Sequence, residues 1–208
     1  MNITILGAGN VGRSLGLAWA RSGHAVSFGV RDPADARHAD LAATAGVRVA
    51  RVDAAAAGAA LLVVATPHAQ ATEALAAARP SPGTIVVDAT NPVAPKFAGL
   101  TIGHTDSAGE QLQRRQPQTR VVKAFNTIGF NIMADPAFGE RRALMYIAGN
   151  DADAKAQVLG LARELGFEAL DLGDITQSRL LEPLALVWIR SAYALGLGRD
   201  IAFGLLRR

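Results

Sequence analysis

The sequence predicts an α/β fold, a doubly wound and mostly parallel sheet with helices on both faces, followed by a small, mainly helical C-terminal extension. Three observations carry this prediction. Short apolar strands alternate with helical segments as far as residue 123, a glycine-rich turn joins the first strand to the first helix, and the alternation weakens after Gly129. We therefore divide the chain into residues 1–129, which hold the alternating pattern, and residues 130–208, an α/β extension expected to close a cleft against them.

Six strands are predicted in the first part, each a short apolar run bounded by turn residues. The clearest helix follows the first strand, because Leu15 and Trp19 lie one helical turn apart and Gly23 suits the end of a helix. The alanine-rich segment 53–60 is predicted to be a small-residue helix packed close to the sheet. The strands are expected at residues 3–6, 25–29, 47–50, 61–65, 84–87 and 120–123.

The extension is predicted to add two strands, at residues 143–148 and 168–172, separated by a helix that begins at Asn150 or Asp151. The tail is predicted to be helical, with Pro183 in the first turn or at a kink. An apolar stripe runs along this tail and consists of Leu181, Leu184, Ala185, Trp188, Ala192 and Leu195. We expect the stripe to pack in a homodimer; the alternative is that it covers the sheet edge of its own chain.

Composition excludes several classes of function. The chain carries 21 basic and 18 acidic side chains, and because the basic residues are scattered, nucleic-acid binding is not expected. The longest apolar run, residues 54–65, is shorter than the ~18 residues that a membrane span requires, and the first residues suit a strand better than a secretory signal. With no cysteine and four histidines at no metal-ligand spacing, no metal site is predicted. We expect a cytoplasmic protein whose partners are small molecules and copies of itself.

The turn GAGNVG, residues 7–12, lies between a predicted strand and a predicted helix, which is the context of a dinucleotide-binding Rossmann domain. The first glycine permits a tight turn, the second lets a pyrophosphate approach the backbone, and the third allows the helix to pack on the strand. Free N–H groups at the helix start then bind phosphate. The cofactor-binding residues expected here are Gly7, Gly9, Asn10, Val11 and Gly12.

Arg31 follows the second strand, where this fold meets the adenosine ribose. An acidic residue at this point binds the hydroxyl groups of NAD, whereas an arginine accommodates the 2′-phosphate of NADP. We therefore predict NADP(H) as the cofactor. Asp32 could instead turn toward the ribose, or Arg31 could be a solvated residue paired with Asp32 or Asp35. Arg37 is a candidate for a second positive charge near the phosphate.

The next two strands also end in candidate site residues, because the carboxyl ends of parallel strands share one edge of the sheet. Thr66 and Pro67 are expected to line the cofactor, and Asn91 with Pro92 to reach the same rim. His68 either approaches the redox centre or caps the following helix.

Several motifs together resemble the coenzyme F420-dependent NADP oxidoreductase family of bacterial dinucleotide-binding enzymes. They are GAGNVG, the arginine after the second strand, ATPHA, DATNPV, GHTDSAGEQL, VVKAFNTIGFNIM and SRLLEPLALVWI, and they span nearly the whole chain. KAFNT together with LEP is more particular than the glycine motif, which many families share. The wider group includes the cytosolic oxidoreductase domain of eukaryotic metalloreductases.

The resemblance implies hydride transfer between NADP(H) and a second ring, either a deazaflavin of the F420 type or a flavin. It places the nicotinamide near Thr66, Pro67 and the segment Phe125, Asn126, Thr127 and Ile128, with Phe125, Asn126 and Thr127 as positioning residues and the second ring in a cleft closed by the C-terminal segment. No certain catalytic acid is visible, and transfer between two rings depends mainly on their positioning. Lys123 is a candidate proton donor, but its place on the sixth strand favours a strand-end charge that points to solvent or to a ligand phosphate.

The sequence departs from the family pattern at one position, and two other hypotheses about its function stay open. Val30 stands where relatives often carry a small hydroxyl residue, so one donor to the 2′-phosphate is missing. An NADPH-dependent reductase of a small carbonyl or imine, of the hydroxyacid dehydrogenase or pyrroline-carboxylate reductase type, shares the early pattern but would need a catalytic acid. A non-catalytic module that senses NADP(H) would bind the cofactor without turnover.

Overall fold

A computed structural model describes residues 1–208 and contains ten strands, eight of which form one sheet. The strands are β1 (Asn2–Leu6), β2 (Ala25–Val30), β3 (Val47–Arg51), β4 (Leu61–Val64), β5 (Ile85–Asp88), β6 (Arg120–Lys123), β7 (Ala137–Phe138), β8 (Arg141–Arg142), β9 (Leu144–Gly149) and β10 (Glu168–Gly173). The sheet has the order β3-β2-β1-β4-β5-β6-β9-β10, and β7 pairs with β8 in a separate hairpin.

Seven α-helices connect these strands. They are α1 (Asn10–Arg21), α2 (Ala39–Ala42), α3 (Val52–Ala56), α4 (His68–Ala78), α5 (Ala108–Arg115), α6 (Ala152–Glu164) and α7 (Ser178–Ile189), followed by a π-helical turn, Arg190–Ala194. Helix α1 ends as predicted, with Gly23 at φ +88° directly after its last turn. Helix α3 is shorter than the alanine-rich segment suggested, because the chain leaves the helix at Ala57 and Gly58 takes φ +72°.

The first six strands run parallel in the order of a doubly wound dinucleotide-binding sheet, which confirms the predicted fold class. Strands β4 and β5 are buried along their whole length because helices cover both faces of the sheet, and this explains why they are uninterrupted apolar runs. The carboxyl ends of β1, β2, β4, β5 and β6 consequently meet at one edge, called the carboxyl edge below.

The extension continues the same sheet. Strand β9 pairs antiparallel with β6, and β10 pairs parallel with β9 after the crossover helix α6. Helix α6 begins after Asp151, whose side chain accepts a hydrogen bond from Ala154 N at 2.7 Å, as one of the two predicted starts required. One apolar core runs across both parts of the chain and includes Trp19, Phe125 and Phe167. The predicted boundary between residues 129 and 130 lies in the loop after β6, and the division into two domains stays a prediction.

Helix α7 buries most of the predicted apolar stripe within its own chain. Leu181, Ala185, Trp188 and Ala192 are buried, whereas Leu195 is 69% exposed because it lies beyond the π-helical turn. Trp188 Nε1 donates a hydrogen bond to Ile201 O at 2.8 Å, so residues near the C-terminus cover the indole ring. Most of the stripe is therefore buried within its own chain, and the homodimer stays a prediction. Pro183 lies in the second turn of α7 rather than the first.

Among the helices of the structure, none combines the length and the apolar character needed to cross a membrane.

Candidate functional site

The glycine-rich turn at the end of β1 is tightly packed at Gly7 and at Gly12. Gly7 takes φ +104°, which a residue with a side chain rarely adopts, and its N–H donates to Gly29 O at 3.1 Å. A Cβ added at Gly12 would lie 2.1 Å from Gly7 O, so only glycine lets α1 pack this closely on the turn. A Cβ at Gly9 would meet no atom within 4 Å. The turn is therefore tight on its inner side and open above Gly9.

Helix α1 presents unpaired backbone donors to this open space. Gly9 is its N-cap and offers no side-chain acceptor, so the first N–H groups of the helix have no capping partner from that residue. Such a helix start binds anions, and phosphate in particular. The predicted residues Asn10 and Val11 form its first turn. The arrangement fits the pyrophosphate of a dinucleotide.

Arg13 fastens the glycine-rich turn to the segment after β2. Its Nε donates to Ala8 O at 3.0 Å, and its two terminal nitrogens donate to Asp40 Oδ2 and to Arg37 O. One side chain thus holds both the glycine-rich turn and the segment after β2. Sequence reasoning missed this role because nothing in the motif marks Arg13.

Arg31 lies exposed at the end of β2 and is free of acidic partners. Asp32 accepts a hydrogen bond from Ala34 N at 3.0 Å, and Asp35 binds Arg37 at 2.6 Å, so neither carboxylate pairs with Arg31. The Arg37 guanidinium holds the pKa of Asp35 at about 2. Arg31 can therefore offer its full fork of donors to a phosphate, whereas the charge of Arg37 is already matched.

Thr66, Pro67 and His68 follow β4 at the carboxyl edge. Thr66 Oγ1 is buried and has no hydrogen-bond partner in the chain. His68 is the first residue of α4, whose N-cap is Pro67, so the histidine does not cap the helix with its side chain. It lines a cavity of about 10 Å³, room for one water, together with Asp88 and other residues. Burial lowers the pKa of His68, which favours the neutral ring at neutral pH.

Asn91 and Asn126 join the ends of β5 and β6. Asn91 Nδ2 donates to Asn126 O at 2.8 Å, and Asn126 Nδ2 donates to Asn91 Oδ1 at 2.9 Å and to Leu181 O at 3.1 Å. Both hydrogens of the Asn126 amide are therefore used, and its Oδ1 is buried without a donor. This open acceptor suits a ligand amide, such as the carboxamide of a nicotinamide. Pro92 is buried beside the pair.

The remaining predicted residues of this segment point into the protein. Phe125 has φ +61° and is fully buried, its ring packed edge-on against Trp19 and Phe167 at centroid distances of 5.6 and 6.0 Å. Thr127 and Ile128 are also buried. The structure thus brings Asn126 to the rim beside Asn91, but it places the Phe125 ring in the core, where only its backbone can reach the edge.

Lys123 corrects the sequence-based expectation of a charge facing solvent or ligand. It is fully buried, and its Nζ lies 3.0 Å from Asp88 Oδ2, 2.9 Å from Glu182 Oε1 and 2.7 Å from Thr90 O. We call Lys123, Asp88 and Glu182 the buried triad. Burial alone would lower the pKa of the lysine, but the attraction of the two carboxylates outweighs burial and raises it.

Every carboxylate oxygen of the buried triad has a donor. Asp88 Oδ1 accepts from the N–H and hydroxyl groups of Thr90, and Glu182 accepts from the backbone N–H groups of Ala108 and Gly109 at the start of α5. The adjacent Leu181 O holds Asn126. One turn of α7 therefore fixes both the lysine and the asparagine of the KAFNT segment.

Sequence reasoning missed Asp88 and Glu182 as partners of Lys123. A signal was present, since Lys123 ends an apolar strand and Glu182 lies in an apolar helix, and buried charges require partners. The pairing could not be seen in the sequence because positions 88, 123 and 182 lie far apart in the chain.

Comparison with known proteins agrees with the family resemblance that the sequence motifs indicate. The profile of the family described as NADP oxidoreductase coenzyme F420-dependent matches residues 2–92. The crystal structure of a proposed F420-dependent NADP reductase from Arthrobacter sp. FB24 is 39% identical, covers 100% of both chains, and superposes with a TM-score of 0.88.

Two further relatives are more distant or much longer. Metalloreductase STEAP3 of Rattus norvegicus is 33% identical over 185 residues, 88% of this chain. The chain spans 36% or less of the length of the curated relatives it matches. A reductive aminase from Aspergillus terreus, solved with NADPH and ethyl levulinate, has a TM-score of 0.70 at 21% identity, covering 94% of this chain and 62% of that one, so that likeness is one of fold.

Proposed function

The chain belongs to the coenzyme F420-dependent NADP oxidoreductase family, and from that premise we propose that it transfers a hydride between NADP(H) and a deazaflavin of the F420 type or a flavin. The observation that carries the proposal is the set of unmet polar groups along the carboxyl edge. The open helix start at Gly9, the unpaired Arg31, and the orphaned Thr66 Oγ1 and Asn126 Oδ1 follow four strands of one sheet. They suit the successive parts of one extended dinucleotide.

Preference for NADP(H) over NAD(H) is assigned to Arg31. An NAD site in this fold would place an acid on the ribose hydroxyls, but Asp32 is bound to its own turn and Asp35 to Arg37. A planar guanidinium without an acidic partner favours a phosphate in that place.

The site is built for positioning more than for proton transfer. Its histidine faces a water-sized cavity and has a lowered pKa, and its lysine is sealed in the buried triad. When bound, the reduced nicotinamide supplies the hydride, and C5 of the deazaflavin accepts it while solvent supplies the proton. Such a transfer needs two rings held face to face. The hydrogen-bonded pair of Asn91 and Asn126 offers a rigid rim for one of them.

A stacked aromatic pair is the candidate surface against which the second ring would bind. Phe97, on the segment that leaves β5, stacks on Tyr193 of the π-helical turn, with centroids 5.6 Å apart and ring planes 4° from parallel. About half of each side chain is exposed. Through this pair, the segment after β5 contacts the C-terminal segment. This contact agrees with a cleft closed by residues of the extension.

The proposal is tested by stopped-flow absorbance of the purified protein mixed with NADPH or NADH and with oxidised F420, FMN or FAD. We expect the F420 or flavin band to bleach with NADPH and at least tenfold more slowly with NADH at subsaturating concentrations. Binding of NADPH without reduction of either ring would contradict the proposed acceptor. Turnover of a small imine or carbonyl under those conditions would favour the reductase reading, and no turnover at all would favour a sensor.

We also propose that the chain forms a cytoplasmic homodimer through the outer face of α7. Leu180 and Val187 lie two turns apart on this face, Leu184 lies between them, and Leu195 and Leu197 follow; all but the half-buried Leu184 are more than half exposed. Sedimentation should give twice the 21.6 kDa of one chain. Leu180→Glu combined with Val187→Glu should yield a folded monomer, and a monomeric unmodified protein at micromolar concentration would contradict the dimer.

A further inference from the structure

A basic cleft opens beside the end of β2. It has a volume of about 520 Å³, and its lining includes three arginines, Arg31, Arg51 and Arg79, against a single acid, Asp53. All four side chains are exposed. The cleft begins where the fold places the adenosine ribose, because Val30 and Arg31 form its wall.

Arg51 reaches this cleft from the neighbouring strand. Strands β2 and β3 run parallel with Val30 opposite Arg51, so Arg51 stands one strand spacing, about 4.8 Å, from the residue that precedes Arg31. Val30 itself has no polar group to offer. The two guanidinium groups that line the cleft thus come from adjacent strand ends.

Neither guanidinium has a partner in the chain, in contrast to other arginines nearby. Arg48, three residues earlier on β3, donates to Ala54 O at 2.7 Å, and Arg37 is held by Asp35. Asp53 forms no ion pair with Arg51 or Arg31, although it lines the same space. Two unpaired cations side by side repel each other and are stabilised by a shared anion, for which a phosphate dianion is the best match in charge and geometry.

We propose that Arg51 is a second specificity-determining residue, which binds the 2′-phosphate of NADP(H) together with Arg31. This assignment rests on the proposed function, since it presumes that NADP(H) occupies the carboxyl edge. Arg31 approaches the phosphate from β2 and Arg51 from β3, so the two forks meet it from different sides. Arg79 lines the same cleft from the end of α4 and not from a strand end, and the assignment gives it no part.

Titration calorimetry with 2′,5′-ADP and 5′-AMP isolates this contact, because the two nucleotides differ only in the 2′-phosphate. For Arg51→Gln we expect the Kd of 2′,5′-ADP to rise about tenfold, as loss of one charge-assisted contact implies, with the Kd of 5′-AMP changed less than twofold. Arg31→Gln should behave in the same way. Arg79→Gln, from the same cleft, is the matched control and should leave both constants within twofold.

The outcomes separate this inference from the function on which it rests. The preference for the 2′-phosphate is the Kd of 5′-AMP divided by the Kd of 2′,5′-ADP. If Arg51→Gln leaves this ratio unchanged while Arg31→Gln lowers it, Arg51 is not part of the site and the NADP(H) assignment stands. If Arg51→Gln weakens both nucleotides equally, its role is general and the proposal is overturned. If the unmodified protein itself does not prefer 2′,5′-ADP, the NADP(H) assignment fails, and with it this inference.

Discussion

The two ends of the carboxyl edge are built in opposite ways. At the end near β1 and β2, which we assign to the adenosine half and call the adenosine end, the polar groups are exposed and lack partners, as Gly9 and Arg31 show. At the end near β5 and β6, which we assign to the nicotinamide and call the nicotinamide end, the charges are sealed inside the protein, and every oxygen of Asp88 and Glu182 has a donor.

This difference reflects two physical tasks. Recognition of an anion needs donors and charges whose partners are missing until the ligand arrives, so those groups remain at the surface. A fixed rim for a ring needs a support whose partners are all present beforehand, because a fully satisfied buried network holds one geometry; the buried triad is such a support beneath the open Asn126 Oδ1. The adenosine end therefore gains from ligand binding, and the nicotinamide end contributes stability before any ligand binds.

The largest effect that would sharpen this contrast is expected at Lys123. Lys123→Met removes the cation and leaves two buried carboxylates facing each other, so the free energy of unfolding should fall by about 3–5 kcal/mol. Urea denaturation followed by circular dichroism measures this loss. Lys123→Met combined with Glu182→Gln should cost less than the sum of the single changes, because the charges are coupled.

Lys155 is the matched control for that experiment. It pairs with Asp171 at 2.9 Å, but the side chain of Asp171 is 46% exposed. Lys155→Met should therefore cost at most about 1 kcal/mol. Equal losses for the two lysines would break the contrast, since they would show that burial of the triad adds nothing.

A second test compares two glycines of the same turn. Gly12→Ala brings a Cβ within 2.1 Å of Gly7 O, and we expect a loss of about 3 kcal/mol in the free energy of unfolding. Gly9→Ala meets no atom and keeps an extended backbone, so stability should change by less than about 0.5 kcal/mol.

The same two variants separate an effect on stability from an effect on NADPH affinity. Gly9→Ala fills the space assigned to the pyrophosphate, so NADPH affinity should fall at least tenfold in a protein of normal stability. Fluorescence titration with NADPH gives the affinity, and thermal unfolding gives the stability. Unchanged affinity in Gly9→Ala would place the phosphates elsewhere.

The smallest effect concerns the pH dependence of Glu110, which lies beside the buried triad at the start of α5. Arg179 donates to both its oxygens, at 2.8 and 2.6 Å, and lowers the pKa of Glu110 below its ordinary value of 4.5. A lowered pKa in the folded state contributes stability above pH 4.5 that is lost as the pH falls through the folded value.

Glu110→Gln should therefore cost about 1–2 kcal/mol at pH 7 and progressively less below pH 4.5. Urea denaturation of both proteins at pH 7 and at pH 3.5 measures the two differences. A cost that stays constant between these pH values would show that the Glu110 charge contributes nothing and that packing alone is affected.

The adenosine end could be predicted from sequence because its features are local. The glycine spacing, the strand before it and Arg31 after the next strand all lie within residues 2–31, and short-range patterns determine them. A mostly parallel sheet was also predicted, from the alternation of strands and helices, and a helix start at Asn150 or Asp151 was predicted from the local capping pattern.

The nicotinamide end could not be predicted in this way. Its triad joins residues 88, 123 and 182, and no pattern in a single segment reveals that a strand-end lysine turns inward to meet two distant acids. The antiparallel entry of β9 and the core position of the Phe125 ring also depend on packing between segments far apart in the chain. Whether residues 130–208 form a separate domain stays a prediction.

The reach of Arg13 has a consequence for how the two halves of a dinucleotide are sensed. Since one guanidinium binds carbonyls of both Ala8 and Arg37, the glycine-rich turn and the segment after β2 are held to each other. A bound fragment that orders one loop would also order the other, so we expect the two halves of the proposed cofactor to bind cooperatively.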